Sequence, residues 1–84
     1  MAAVVLTLEA KRQAERLPMP IFGRVWRLVE RLQAWPDVSG VKPLSGNLAG
    51  RFRLRTGDYR VQFRVEGDKI IVEKIGHRDG FYEG

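Results

Sequence analysis

Apolar residues recur along this chain with two different periods, and the change of period divides it into elements. Ala3 to Leu8 is a short run of β-branched and Leu residues, which predicts a strand, and Thr7 is placed to cap the helical segment after it. From Glu9 to Leu17 helix formers dominate, with Ala10, Ala14 and Leu17 on one stripe, until Pro18 stops the segment. A second helix can begin at Pro20, because Ile21, Val25, Leu28, Leu32 and Trp35 recur at spacings of 4, 3, 4 and 3. Phe22, Trp26 and Val29 widen that stripe beyond what one contact face needs. This helix therefore packs on two sides or meets a partner chain.

Pro36 ends the helical pattern, and residues 36–50 read as a loop without period. Three strands follow in close order, Arg51 to Thr56, Tyr59 to Glu66 and Lys69 to Gly76, separated by Gly57-Asp58 and Gly67-Asp68. Gly accepts the positive φ that the first position of a tight hairpin turn demands, so the three strands form an antiparallel meander. The expected architecture is α+β: an N-terminal strand, two helices and the meander joined into one sheet, in a single domain spanning 1–84.

Two-residue turns set an explicit register. Thr56 faces Tyr59, Arg55 faces Arg60, Leu54 faces Val61, Arg53 faces Gln62, Phe52 faces Phe63 and Arg51 faces Arg64. Beyond the second turn Glu66 pairs with Lys69, Val65 with Ile70, Phe63 with Val72, Gln62 with Glu73 and Arg60 with Ile75. Alternation then separates two faces. One carries Phe52, Leu54, Val61, Phe63, Val65, Ile70 and Val72, an apolar surface for the helices. The other carries Arg51, Arg53, Arg55, Arg60, Gln62 and Arg64, continuing to Glu73 and His77. Like charges directly opposed across strands are destabilising, so the Arg51–Arg64 and Arg55–Arg60 pairs suit a face that binds a phosphate backbone.

Charge sharpens this picture. The net charge of +5 divides into +2 over residues 1–41, +5 over residues 42–64 and −2 over residues 65–84. The excess thus lies on the meander, and eleven of the fifteen cations are Arg, whose planar fork holds phosphate bidentately. A polyanion is the expected partner. Lys42, ahead of the first meander strand, joins Arg51, Arg53, Arg55 and Arg64 as a phosphate-binding candidate. Composition excludes other classes. The chain has no Cys, which removes disulfide scaffolds and Cys-ligated metal sites. No long apolar run or secretion signal is present, so the expectation is a cytoplasmic protein without a membrane span. No metal-ligand spacing, phosphate loop or Ser/His/Asp constellation appears, and no metal or cofactor is expected.

The last segment supplies groups for proton transfer. His77 is the only His, with an ordinary pKa of about 6.5, and can serve as acid or base near neutrality. Tyr82 offers a phenol and Arg78 another guanidinium, and a tail curled over the basic face would bring all three to a bound backbone. Alternatively, Phe81 and Tyr82 only tack down the C-terminus while His77 faces water.

The order strand, two helices and meander, with Lys42-Pro-Leu44-Ser-Gly46, Arg51-Phe-Arg-Leu-Arg55, Gly57-Asp-Tyr-Arg60-Val61, Gly76-His-Arg78 and Tyr82, resembles the RelE/ParE superfamily of type II toxin–antitoxin toxins. The resemblance spans essentially the whole chain. It implies a toxin that cuts mRNA in the ribosomal A site without a metal, and a cognate antitoxin that wraps the toxin until degraded. In such cleavage the mRNA 2′-hydroxyl attacks the adjacent phosphate. By this resemblance Arg51 and Arg53 contact substrate and stabilise charge, Arg60 matches the catalytic-set Arg of the Tyr-Arg pair, Arg78 aids the leaving group and Tyr82 is the base. Where the best-known RelE members carry Lys on the strand, this chain has Arg, which cannot act as a base at neutral pH. His77 is the rival for the acid or base role.

Two other functions fit the same fold: ParE-like poisoning of DNA gyrase without catalysis, and an inactive RNA-binding module. In every case an antitoxin with an acidic contacting segment is the expected partner for the basic face. Phe22, Trp26 and Val29 mark a second candidate patch where an antitoxin helix could dock.

Overall fold

In the computed structural model, which describes residues 2–81, strand β1 (Ala3–Leu6) leads directly into helix α1 (Leu8–Glu15) and then helix α2 (Met19–Arg31). Thr7 stands between strand and helix with extended backbone, and its Oγ1 accepts the Ala10 N–H at 3.1 Å. The cap starts α1 at Leu8 and shortens the predicted strand by two residues. Pro18 closes the gap between helices, and Pro20 sits in the first turn of α2, where a missing N–H costs nothing. The tail of the predicted second helix tightens into a 3₁₀ turn at Leu32–Ala34. Within the expected loop the short strand β2 (Lys42–Pro43) pairs with the first strand of the meander.

The meander strands are β3 (Arg51–Thr56), β4 (Tyr59–Glu66) and β5 (Lys69–His77), and the five-stranded sheet has the order β1-β5-β4-β3-β2. β1 runs parallel to β5, while every other pairing is antiparallel. Gly57 and Gly67 take φ of 56° and 59°, and neither following Asp has a positive φ, the pattern of a two-residue turn with Gly first. The β3–β4 register is the expected one throughout.

The β4–β5 register holds from Glu66–Lys69 to Phe63–Val72 and then shifts: Gln62 pairs with Lys74 instead of Glu73, and Arg60 with Gly76 instead of Ile75. Glu73 is the extra residue of a β-bulge. The apolar spacing shows why. Ile70 and Val72 are fully buried, but the next buried side chain on this strand is Ile75, three positions on. A regular strand would turn Ile75 away from the core, and the bulge turns it back.

The bulged stretch lies beyond the end of β1, so its outer backbone needs other partners. The Thr7 hydroxyl donates to the Glu73 carbonyl at 3.3 Å, and Gln13 Oε1 accepts the Ile75 N–H at 2.7 Å. Ala10 and Ala14, buried and small, let α1 lie close enough for this reach. The core lies between the helices and one sheet face, where Val25, Leu28, Leu32, Leu54, Val61, Phe63, Ile70, Val72 and Ile75 are buried. Trp35, Phe52 and Phe63 close one end, with ring centroids 5.3 to 5.6 Å apart. Among the described residues no helix is long and apolar enough to cross a membrane.

Candidate nucleic-acid interface

Helices cover one side of the sheet and leave the arginines on the other. Reading across the strands, three rows of facing residues run over this surface: Arg51 with Arg64; Lys42, Arg53, Gln62 and Lys74; and Arg55, Arg60 and Gly76. These rows are not alike electrostatically.

The first row has its own counterion. Glu73 Oε1 accepts from Arg51 Nε at 3.0 Å and from Gln62 Nε2 at 3.4 Å. Its Oε2 accepts from Arg64 Nη1 at 2.7 Å and Arg51 Nη2 at 3.4 Å. Arg64 also lies 3.5 Å from Glu66. Burial alone would raise the pKa of Glu73, but hydrogen bonds from Arg51, Arg64 and Gln62 and the charge of Arg51 outweigh it and hold the carboxyl below its ordinary value of 4.5. The opposed Arg51–Arg64 pair is therefore a bridged ion triad.

Among the described residues, no carboxylate plays that part in the other two rows. Arg53 Nε and Arg60 Nη1 are buried and, among the described residues, have no hydrogen-bond partner. A buried donor left unpaired costs about 1–3 kcal/mol, so these two, on adjacent rows of one face, set Arg53 and Arg60 apart from the bridged first row. Arg55 is exposed at the edge of this region, as is Lys42 on β2.

The chain end closes over the Gly76 row. Phe81, 3% exposed, packs on Gly76, where an added Cβ would stand 3.3 Å from its ring. Lys74, turned onto this face by the bulge, donates from Nζ to the Phe81 carbonyl and lies 4.8 Å from the ring centroid. The tail thus curls over the basic face. Tyr82 lies outside the described residues.

His77 is a correction. The bulge places it with Ile75 and Val61 on the helix side of the sheet, not beyond the arginines. Its ring meets Tyr59 edge-on at 5.2 Å, and its Nδ1 accepts the Asp79 N–H at 3.1 Å. Arg78 is more than half exposed; its Nε stands 3.7 Å from Asp58 and 3.8 Å from Asp79, while its N–H donates to the Asp58 carbonyl. Arg53, Arg55, Arg60 and the tail are brought together; His77 is not.

Residues 4–80 match the model of the ParE toxin of the type II toxin–antitoxin system parDE. The chain belongs to this family. It is 28% identical over 81 residues to toxin RelG of Mycobacterium tuberculosis, covering 94% of this chain and 93% of that protein. Toxin RelE3 of Methanocaldococcus jannaschii is 27% identical over 75 residues, covering 86% of this chain and 85% of that toxin. The toxin–antitoxin complex RelBE2 from Mycobacterium tuberculosis contains a chain that superposes with a TM-score of 0.79 at 28% identity, over 92% of this chain and 98% of that one. This protein is a type II toxin of the RelE/ParE superfamily, with its α+β fold.

The toxin's second candidate patch divides. Val29 is buried in the core, which removes it from the docking surface. Phe22 and Trp26 stay 36% and 41% exposed, stacked at 5.8 Å with rings 7° from parallel. With Val4, Val5, Leu6, Lys11, Ala14 and Glu15 they line a groove of about 670 Å³ between β1 and the two helices.

Sequence reasoning placed Glu73 on the basic face without a role, missed Lys74, and offered Phe81 as a tack for the C-terminus without naming its seat on Gly76. One signal was available for the first two. Core positions at 70, 72 and 75 break strict alternation, which only a bulge permits.

Proposed function

We propose that this toxin is a metal-independent, ribosome-dependent mRNA endonuclease, which promotes attack of a 2′-hydroxyl on the adjacent phosphate. The observation that carries this reading is the pair of unpartnered buried donors, Arg53 Nε and Arg60 Nη1, on an open face flanked by Arg55. Arg53 and Arg60 bind the scissile phosphate and stabilise the charge that grows on it, while Arg78 serves the leaving oxygen. Tyr82 is the proton-transfer group. Its support is the seat of Phe81 on Gly76, which directs the tail over the Arg60 row, whereas His77 lies on the helix side.

In the neutral complex, an antitoxin covers the Phe22–Trp26 groove with an apolar segment and the arginine face with an acidic one. The matching ParE family description supports a second reading, inhibition of DNA gyrase without catalysis.

The deciding experiment monitors mRNA on programmed ribosomes with chelator present. Cleavage by the wild type that falls about 100-fold to 10,000-fold in Tyr82→Phe, with ribosome binding retained, is the expected result. His77→Gln should cleave nearly normally. Intact mRNA, together with gyrase trapped on DNA, would establish the second reading instead.

A further inference from the structure

The bulge at Glu73 does more than turn Ile75 into the core. It inserts a carboxylate, mostly shielded from solvent, between the arginines of β3 and β4, where it takes four hydrogen bonds from three side chains. Arg51 and Arg64 consequently have their forks occupied. Arg53 and Arg60, the next two rows along, have donors left over. The surface is thus a basic face with one end closed by an internal anion and the other end open.

We infer that Glu73 is a positioning residue that sets the register of a bound nucleic-acid backbone, by occupying Arg51 and Arg64 so that phosphates engage only the Arg53–Arg55–Arg60 end. The inference rests on the RNA-cleaving function proposed above. Its physical basis is competition. A phosphate can take Arg51 or Arg64 only by displacing a carboxylate already held at 2.7 to 3.4 Å, whereas Arg53 and Arg60, half-buried on the same face, are held by no carboxylate among the described residues, and Arg53 Nε and Arg60 Nη1 have no acceptor. Without Glu73 the five arginines would form a uniform track, and a backbone could sit one phosphate step further along it, away from the tail at Gly76.

Glu73→Gln keeps the side-chain shape and removes the charge. The probe is a fluorescent single-stranded RNA oligonucleotide titrated at several salt concentrations. Two freed arginines add about 1.4 to the slope of log affinity against log salt, equivalent to an additional affinity loss of roughly sevenfold between 50 and 200 mM salt. Glu15→Gln on α1 changes the net charge equally and should leave the slope alone. On programmed ribosomes, Glu73→Gln should lower kcat and KM together, the signature of added non-productive registers.

An unchanged slope, an equal effect of Glu15→Gln, or a fall in kcat with KM unchanged would overturn the inference. If Glu73→Gln fails to fold, Arg53→Gln and Arg64→Gln in the otherwise native toxin decide it. The first should flatten the slope by about 0.7 and the second should not, and equal flattening overturns the inference. A wild type that leaves mRNA on programmed ribosomes intact would instead overturn the RNA-cleaving reading on which this one rests, whereas one that cleaves there but shows no salt-dependent binding of the free RNA overturns the inference alone.

Discussion

Gly76 and Phe81 show how one missing side chain can shape a site. The Phe81 ring occupies the space above Gly76 that any Cβ would enter, and Lys74 holds the ring and its carbonyl from the side. Gly76→Ala forces the ring away by a few tenths of an ångström and Gly76→Val by more. Cleavage should fall progressively in that order while RNA affinity, which the proposed function assigns to Arg53 and Arg60, is retained; a fall in affinity alone would contradict this role for Phe81. Glu73 makes a prediction in pH. Its folded-state pKa is depressed, so the stability it contributes is fully present above its ordinary value of 4.5 and is lost as pH falls below that value through the folded pKa. Thermal melts of the wild type should drop over that acid window. Glu73→Gln should flatten this part of the profile.

At the scale of elements, the bulge depends on side chains far away in sequence. Its outer backbone is satisfied by Thr7, which also caps α1, and by Gln13 from the middle of that helix. Helix and bulged strand therefore support each other. Gln13→Ala strands the Ile75 N–H, and losing that partner should cost about 1–3 kcal/mol, or roughly 4–8 °C in melting temperature for each kcal/mol in a domain of this size. The same variant should reduce cleavage beyond its effect on stability, since a bulge that relaxes to regular pairing would turn Lys74 and Glu73 off their present positions. A melting temperature equal to that of the wild type would show that water serves the N–H as well.

Viewed whole, the molecule presents two dissimilar surfaces on opposite sides of one sheet. The arginine face is polar and charged, whereas the groove that Phe22 and Trp26 line beside β1 is an exposed apolar patch of the kind that marks an interaction site. The proposed antitoxin contact separates two neighbouring residues of α2. Trp26→Ser should weaken the toxin–antitoxin complex at least tenfold with little change in melting temperature. Val29→Ser places a hydroxyl in the core and should instead cost about 2 kcal/mol or more in stability. Isothermal titration with the antitoxin and a melt of each variant check both arms; equal loss of stability would make Trp26 a core residue.

The meander strands, their tight turns and the arginine alternation were legible in the sequence, because a period of two and the demand for Gly at positive φ are local properties, whereas the two-residue β2 was not. So were Ala10, Ala14 and the main stripe of α2. The family was legible in the same local motifs. What tertiary structure decided was the partition of the basic face. Arg51, Arg53, Arg60 and Arg64 look equivalent along the chain, and they part company only when Glu73 arrives from β5. The side on which His77 falls, the burial of Val29 beside the exposed Trp26, and the seating of Phe81 on Gly76 were decided in the same way. Each depends on a contact between residues that the sequence keeps apart or on a one-residue shift in register, and alternation alone carries no record of either.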